Sequence, residues 1–169
     1  YLYAIIDVFS RCVVGWMLAP NESATLAEKL IEETCDRQGI ERGQLTIHAD
    51  RGSSMRSKLV AQLLADLGVT KTHSRPHVSN DNPFSESQFK TLKYSPGFPD
   101  RFGSPEHAHG VIRPLFRWYN HEHRHSALKF VTPAQRHAGQ AEELLRKRVE
   151  LYEAARARHP QRWSGDIRD

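Results

Sequence analysis

A change of hydrophobic period along the chain is what most narrows its fold. Leu2–Ile6 and Cys12–Leu18 are short, apolar, β-branched runs. The residues between them, Asp7-Val8-Phe9-Ser10-Arg11, read as a tight connection, so the two runs are expected to pair as a hairpin. From Ala24 to Thr34 the period becomes helical: Leu26, Leu30 and Ile31 recur on one side, with Gly39 as a stop signal. Leu45–Ala49 returns to a strand. Ser54–Leu67 places Leu59, Val60, Leu63, Leu64 and Leu67 on one stripe, which predicts an amphipathic helix ending at Gly68, and Val69–His73 follows as another short strand. Ser74–Asn82, with Pro76, Ser79, Asn80 and Asp81, sustains neither period and is expected to be a mobile loop.

A helix is then expected from Asn82-Pro83 to about Tyr94. Asn is a good N-cap, and Pro in the first helical position gives up only a donor that the helix leaves orphaned. Pro96, Gly97 and Pro99 separate it from a helix over Pro105–Asn120, whose buried stripe is Val111, Ile112, Leu115, Phe116 and Tyr119. Beyond Pro133 the chain is rich in Arg, Glu and Ala, and Leu144, Leu145 and Val149 mark a helical tail. Strands followed by helices in this order predict an α/β domain with a mixed sheet, taken as residues 1–137, and a helical tail over residues 138–169.

Composition sets the class. Of the 169 residues, 38% are hydrophobic and 26% charged, which suits a globular domain rather than a disordered chain. No apolar run approaches the roughly 18 residues that a membrane span needs, so no membrane association is expected. The two cysteines, Cys12 and Cys35, lie on segments that read as buried. That disfavours a disulfide framework or a cysteine-rich zinc site and suits a reducing cytoplasm. Lys and Arg number 24 against 20 Asp and Glu, a net charge of +4 before any of the ten histidines protonates, which suggests a polyanionic partner. The first residues, Tyr-Leu-Tyr-Ala-Ile-Ile-Asp, open inside a strand-like run without Met, signal peptide or cap, so a preceding segment is expected to have been removed.

Three groups of residues carry candidate chemistry. Asp50 ends a predicted strand in His48-Ala49-Asp50-Arg51-Gly52-Ser53, where a carboxylate would project from a sheet edge, although an Asp before Arg-Gly also suits a turn or a helix cap. Glu86 is followed by Lys90 and Lys93, which puts an acid and two cations on one helix face. Spacing alone would make them a surface ladder worth a few tenths of a kcal/mol. His121-Glu122-His123-Arg124-His125 satisfies H-E-x-x-H, the zinc-protease pattern, but it falls where a helix is expected to end and no third ligand is evident.

Four segments together resemble the integrase core of bacterial insertion-sequence transposases, in the retroviral-integrase-like superfamily with an Asp-Asp-Glu triad. They are Ile6-Asp7-Val8-Phe9-Ser10-Arg11, His48 through Ser53, Asn80-Asp81-Asn82-Pro83-Phe84-Ser85-Glu86-Ser87-Gln88-Phe89-Lys90-Thr91-Leu92-Lys93, and Tyr119-Asn120 through Arg124-His125. Their order and spacing also match, and 35 residues, positions 51 to 85, lie between Asp50 and Glu86, the family's interval between the second and third triad members. The resemblance covers Tyr1 to about His137.

The resemblance implies a ribonuclease-H-like mixed sheet flanked by helices. It also implies two Mg²⁺ (or Mn²⁺) ions, DNA cleavage, and strand transfer of element ends into target DNA. Asp50 and Glu86 would be catalytic metal ligands. Lys90 and Lys93, with Arg75, His77, Arg124 and His125 as further candidates, would hold the DNA backbone without reading its sequence. Two carboxylates converging at 4 Å repel by about 4 kcal/mol at an effective dielectric of 20, and a hard divalent cation removes that repulsion. In the family the first aspartate lies on a strand just upstream of the one beginning at Leu2. Asp7 matches the next strand's Asp-x-x-Ser-Arg instead and is expected to be a structural turn residue, so the chain alone is expected to be inactive. Ser53-Ser54-Met55 depart from the amide and aromatic usual after Gly52. A homo-oligomer on DNA in the bacterial cytoplasm, associated with the nucleoid, is implied. The alternatives are a non-catalytic DNA-binding remnant of a degraded mobile element and a nuclease of the same fold acting on RNA in a hybrid.

Overall fold

The computed structural model of the protein describes residues 1–49, 55, 57–73 and 83–166. The loop expected over Ser74–Asn82, including the Asn82 cap, lies outside them. The chain divides into two compact units, Tyr1–Val8 with Val13–Leu115, and Phe9–Cys12 with Phe116–Asp169.

In the first unit, β1 (Leu2–Ile6) and β2 (Val13–Leu18) pair antiparallel from Leu2 opposite Leu18 to Ile6 opposite Val13, with an irregularity between Ile5 and Ile6. This is the expected hairpin. Helix α1 (Ala24–Gln38) starts where the Ser23 side chain accepts the Leu26 N–H at 3.2 Å. It runs past Thr34 to Gly39, whose left-handed φ of 62° lets the chain turn off the helix without a Cβ penalty. Helix α2 (Lys58–Asp66) begins later than the leucine stripe suggests, because the Ser57 hydroxyl caps the Val60 N–H at 3.2 Å. Leu59, expected on the buried stripe, is 50% exposed, whereas Val60 and Leu64 are buried.

Strands β3 (Thr46–Ala49) and β4 (Thr70–His73) pair in parallel, with α2 as the crossover between them. The described strands therefore form one antiparallel and one parallel pair, an α/β arrangement of mixed sense. One core joins Ala27, Ile31 and Cys35 of α1 to Val60 and Leu64 of α2 and to Val69. Tyr3, Ile5 and Ile47 from the strands pack against it. Cys12 and Cys35 are both buried free thiols.

Helices α3 (Pro83–Lys93) and α4 (Pro105–His121) follow, and α4 runs through Pro114. Its expected stripe is inward at Ile112, Phe116 and Tyr119 and half-buried at Val111 and Leu115. Trp16 of β2 meets the His109 ring of α4 at 5.7 Å. Among the described residues no helix is long and apolar enough to cross a membrane.

The second unit contains α5 (Pro133–His137), started by a reciprocal capping box between Thr132 and Gln135, and α6 (Ala141–Arg158). Leu144 and Leu145 pack against Leu128, Val131 and Ala141, as the tail pattern predicts, while Val149 is 36% exposed. Phe9–Cys12 is clamped inside this unit. Fully buried Ser10 accepts the Cys12 N–H at 3.2 Å, and its hydroxyl lies 3.2 Å from His137 Nδ1. Arg136 donates to the Phe9 carbonyl at 3.3 Å and places its guanidinium 4.2 Å over the Phe9 ring.

In the first unit β2 and α1 approach closely at Gly15. A Cβ on Gly15 would collide with Thr34 Oγ1 and lie 3.2 Å from Thr34 Cβ. Arg37 at the end of α1 locks the same approach, donating to the Val14 carbonyl at 3.1 Å and to Thr34 Oγ1 at 3.2 Å. Gly15→Ala is expected to cost about 1–3 kcal/mol through overpacking. Adding Thr34→Ala should recover part of that loss, as a double-mutant cycle in urea would show.

Candidate functional site

Helix α3 gains its functional face from what it buries. Gln88 and Leu92, one turn apart, are each 2% exposed, which fixes the inward side. At 3.6 residues per turn, Glu86, Lys90 and Lys93 fall on the opposite side, and all three are exposed. Glu86 lies in the first turn and the two lysines in the last, an order that also complements the helix dipole. Thr91 donates to the Ser87 carbonyl at 3.0 Å and Ser95 to the Leu92 carbonyl at 2.7 Å, so the polar side chains at this end are tied to the helix itself. The Gln88 amide has no hydrogen-bond partner among the described residues.

A second feature is the edge where β3 and β4 end. Their parallel register sets Ala49 opposite His73, so the two strands end at the same edge. Ligands in open α/β sheets collect at the carboxyl ends of strands, and this is such an end. Asp50, Arg75 and His77 themselves lie outside the described residues. Within the pair, His48 Nδ1 and Thr72 Oγ1 are 2.9 Å apart. Lys71, which sequence reasoning did not single out, donates to the Met55 carbonyl, and burial lowers its pKa.

The remaining candidates belong to the second unit. Arg124 is exposed and donates to Gln135 Oε1 at 3.4 Å. His125 is half-buried beside Tyr119 and His123. Tyr119 stacks on His123 with ring centroids 5.5 Å apart, and His123 meets His125 edge-on at 5.7 Å. Burial pushes the Tyr119 phenol up to about 12, with Arg11 opposing and Cys12 adding to the shift. Burial also lowers the pKa of His123. For His125 burial acts first, then the His123 and Arg11 charges, in the same downward direction. At neutral pH His125 is thus an uncharged ring, able to meet a phosphate only as a neutral donor. The H-E-x-x-H pattern does not make a zinc site. Helix α4 ends at His121 and His125 precedes a 3-10 turn over Ser126–Leu128, so the two rings do not share a helical face. Among the described residues no group of three or more His, Cys, Asp or Glu is placed to hold a metal.

Residues 1–79 and 67–133 match two family models, each described as an integrase core domain. The chain belongs to the integrase core family. It is 30% identical over 134 residues to the transposase for insertion sequence element IS904 of Lactococcus lactis, covering 79% of this chain and 53% of that one. It is 29% identical over 136 residues to the IS3A transposase InsF of Escherichia coli, covering 80% and 47%. With the putative transposase of IS986/IS6110 from Mycobacterium tuberculosis the identity is 26% over 142 residues, covering 80% and 50%. The integrase core thus spans about half the length of these curated relatives.

Among solved structures, the catalytic core domain of BIV integrase superposes with a TM-score of 0.60 at 18% identity, covering 85% of this chain and 89% of that one. A chain of the simian T-cell lymphotropic virus intasome, in complex with PP2A regulatory subunit B56 gamma, gives 0.60 at 16% identity, covering 79% and 46%. These likenesses are of fold, the ribonuclease-H-like α/β fold that the sequence resemblance implies.

The histidine pair makes stability depend on pH. Both rings have folded pKa values below their ordinary 6.5, so the unfolded chain binds more protons. Their contribution is complete above 6.5 and is lost as the pH falls through the lowered values. The melting temperature is expected to hold from about pH 8 to 7 and to drop below about pH 6.5. The drop should be shallower in His125→Asn when both proteins are melted across the same series by circular dichroism.

Proposed function

We propose that the chain is the catalytic core of a DNA transposase, carrying out metal-dependent cleavage and strand transfer of DNA ends, with Asp50 and Glu86 as metal ligands. The observation that carries this reading is the exposed face of α3, with one acid and two lysines presented together and Gln88 and Leu92 turned inward. The common edge at which β3 and β4 end supports it, since Asp50 follows Ala49 directly in the sequence.

Glu86 suits the ion the family implies: it is an exposed carboxylate, and Mg²⁺ prefers hard oxygen donors supplied by one or two carboxylates and substrate phosphate. When bound, a pair of such ions activates water or a 3′-hydroxyl and stabilises the leaving oxygen. Lys90 and Lys93 hold the DNA backbone beside Glu86 by charge, contributing position without sequence reading. Arg75, Arg124 and His125 are further backbone contacts, the last as a neutral donor. Asp7, directly after β1, has a structural role in this reading rather than a place in the metal site. In this reading residues 1–137 form the core, residues 138–169 form its tail, and the protein works as a homo-oligomer on DNA in the bacterial cytoplasm.

Calorimetry with Mn²⁺ should show weak, millimolar-range binding, because two carboxylates leave coordination incomplete. Glu86→Ala and Asp50→Ala should each remove it, and Asp7→Asn should not. Unchanged heats in both of the first two variants would defeat the metal assignment.

DNA affinity is expected to fall with salt, and Lys90→Ala and Lys93→Ala should each reduce the log–log slope by about one, equally for all DNA sequences. A changed sequence preference with an intact slope would show that these lysines read bases instead. Salt-dependent binding without any metal binding would point to the non-catalytic remnant.

A further inference from the structure

Positions 88 and 89 of α3 invert the usual pattern: the buried one carries an amide and the exposed one a phenyl ring. Gln88 is 2% exposed and its amide lacks a partner among the described residues, whereas Phe89 is 42% exposed. Core packing does not account for a ring left in water while the neighbouring inward position is polar. The surroundings of the ring do. Phe89 is three residues after Glu86 and four before Lys93, so it sits on the shoulder of the charged face, a helical neighbour of both. Beyond Lys90 on the other shoulder is Tyr94, 78% exposed.

We propose that Phe89 is a stacking platform for an unpaired base at a DNA end, beside the Glu86 carboxylate. This rests on the function proposed above and adds to it the form of DNA that the site takes. Lysines hold phosphates but have no surface that fits a base, and an aromatic face does. A base inside a duplex has both faces covered by its neighbours, and a paired base at a blunt end offers only its outer face, so a ring on a helix side, flanked by lysines that hold the backbone, is best met by a base that has left the pair. An apolar protein partner is the poorer fit, because the cores of protein interfaces are depleted of the charges that surround this ring. Charge complementarity with a polyanion selects DNA. Phe89 is thus a positioning residue, holding the terminal nucleotide while the lysines hold its phosphates.

The experiment compares the full chain with Phe89→Leu and Phe89→Trp. Each is titrated with a paired duplex and with one of the same length whose last two pairs are mismatched and carry 2-aminopurine. Leu keeps apolar bulk without a π-face, so it separates stacking from folding, and circular dichroism checks that both variants fold. The expected result is a preference of roughly tenfold for the open end, with quenching of the 2-aminopurine, in the wild type and Phe89→Trp, and its loss in Phe89→Leu. Equal preference and quenching in Phe89→Leu overturn the proposal. Salt-dependent binding by the wild type with no preference for the open end overturns stacking alone and leaves the transposase reading standing. No salt-dependent binding to either DNA overturns both. Self-association that Phe89→Leu abolishes would assign the ring to a second copy of the chain and overturn it too.

Discussion

Burial of Gln88 and Leu92 sets the rotation of α3, and with it everything that helix offers to a partner. Rotating the helix by one residue would turn its side chains by about 100° and carry the charged row toward the shoulder of the helix. Leu92 supplies the apolar anchor. Gln88 makes the choice less obvious from burial energy alone, since an inward amide without a partner costs about 1–3 kcal/mol. That the helix adopts this rotation shows how strongly the opposite face, with Glu86, Lys90 and Lys93, resists desolvation: burying an unpaired charge costs far more than burying an amide.

Elsewhere in the first unit, a close backbone approach and a polar clamp work together. Gly15 lets β2 lie against Thr34 of α1, and Arg37 closes that contact from the helix end. The same helix then shares a core with α2 and, through Ile47, with β3. The parallel pairing of β3 with β4 follows from the crossover through α2, and it is this pairing that ends both strands at a common edge. In the second unit, Ser10, His137 and Arg136 hold the connection between β1 and β2. The Asp-x-x-Ser-Arg segment of the family pattern therefore has a packing use, with Ser10 fully buried at its centre.

Charge is divided between the two units in different ways. The lysines of α3 are in water. His123 and His125 are partly withdrawn from it and favour the neutral form, and Tyr119 beneath them is held protonated. Ten histidines on a chain of net charge +4 invite the expectation of a surface that becomes more basic under mild acid. For these two rings protonation instead works against the packing that surrounds them.

The sequence by itself determined the order of the elements, the family, and the spacing of Asp50 and Glu86, because hydrophobic period and motif interval are properties of neighbouring residues along the chain. It also placed Ile112, Phe116 and Tyr119 inward, since a stripe of three large side chains at helical spacing has one way to be buried. The start of α2 was harder to read: the leucine stripe suggested a helix from Ser54, and the Ser57 hydroxyl capping the Val60 N–H starts it at Lys58. Leu59 looked like core and is half exposed, because α2 has one partner face and Val60 and Leu64 fill it. The H-E-x-x-H pattern falls where the sequence already expected a helix to stop, and α4 does end at His121, which denies the pattern a shared helical face. What only the tertiary structure decided was which side chains depart from the polar-out, apolar-in rule: the half-buried His125, the buried Ser10 and Gln88, and the exposed Phe89. Those states depend on what packs against each side chain from distant parts of the chain, and no local period or spacing encodes that.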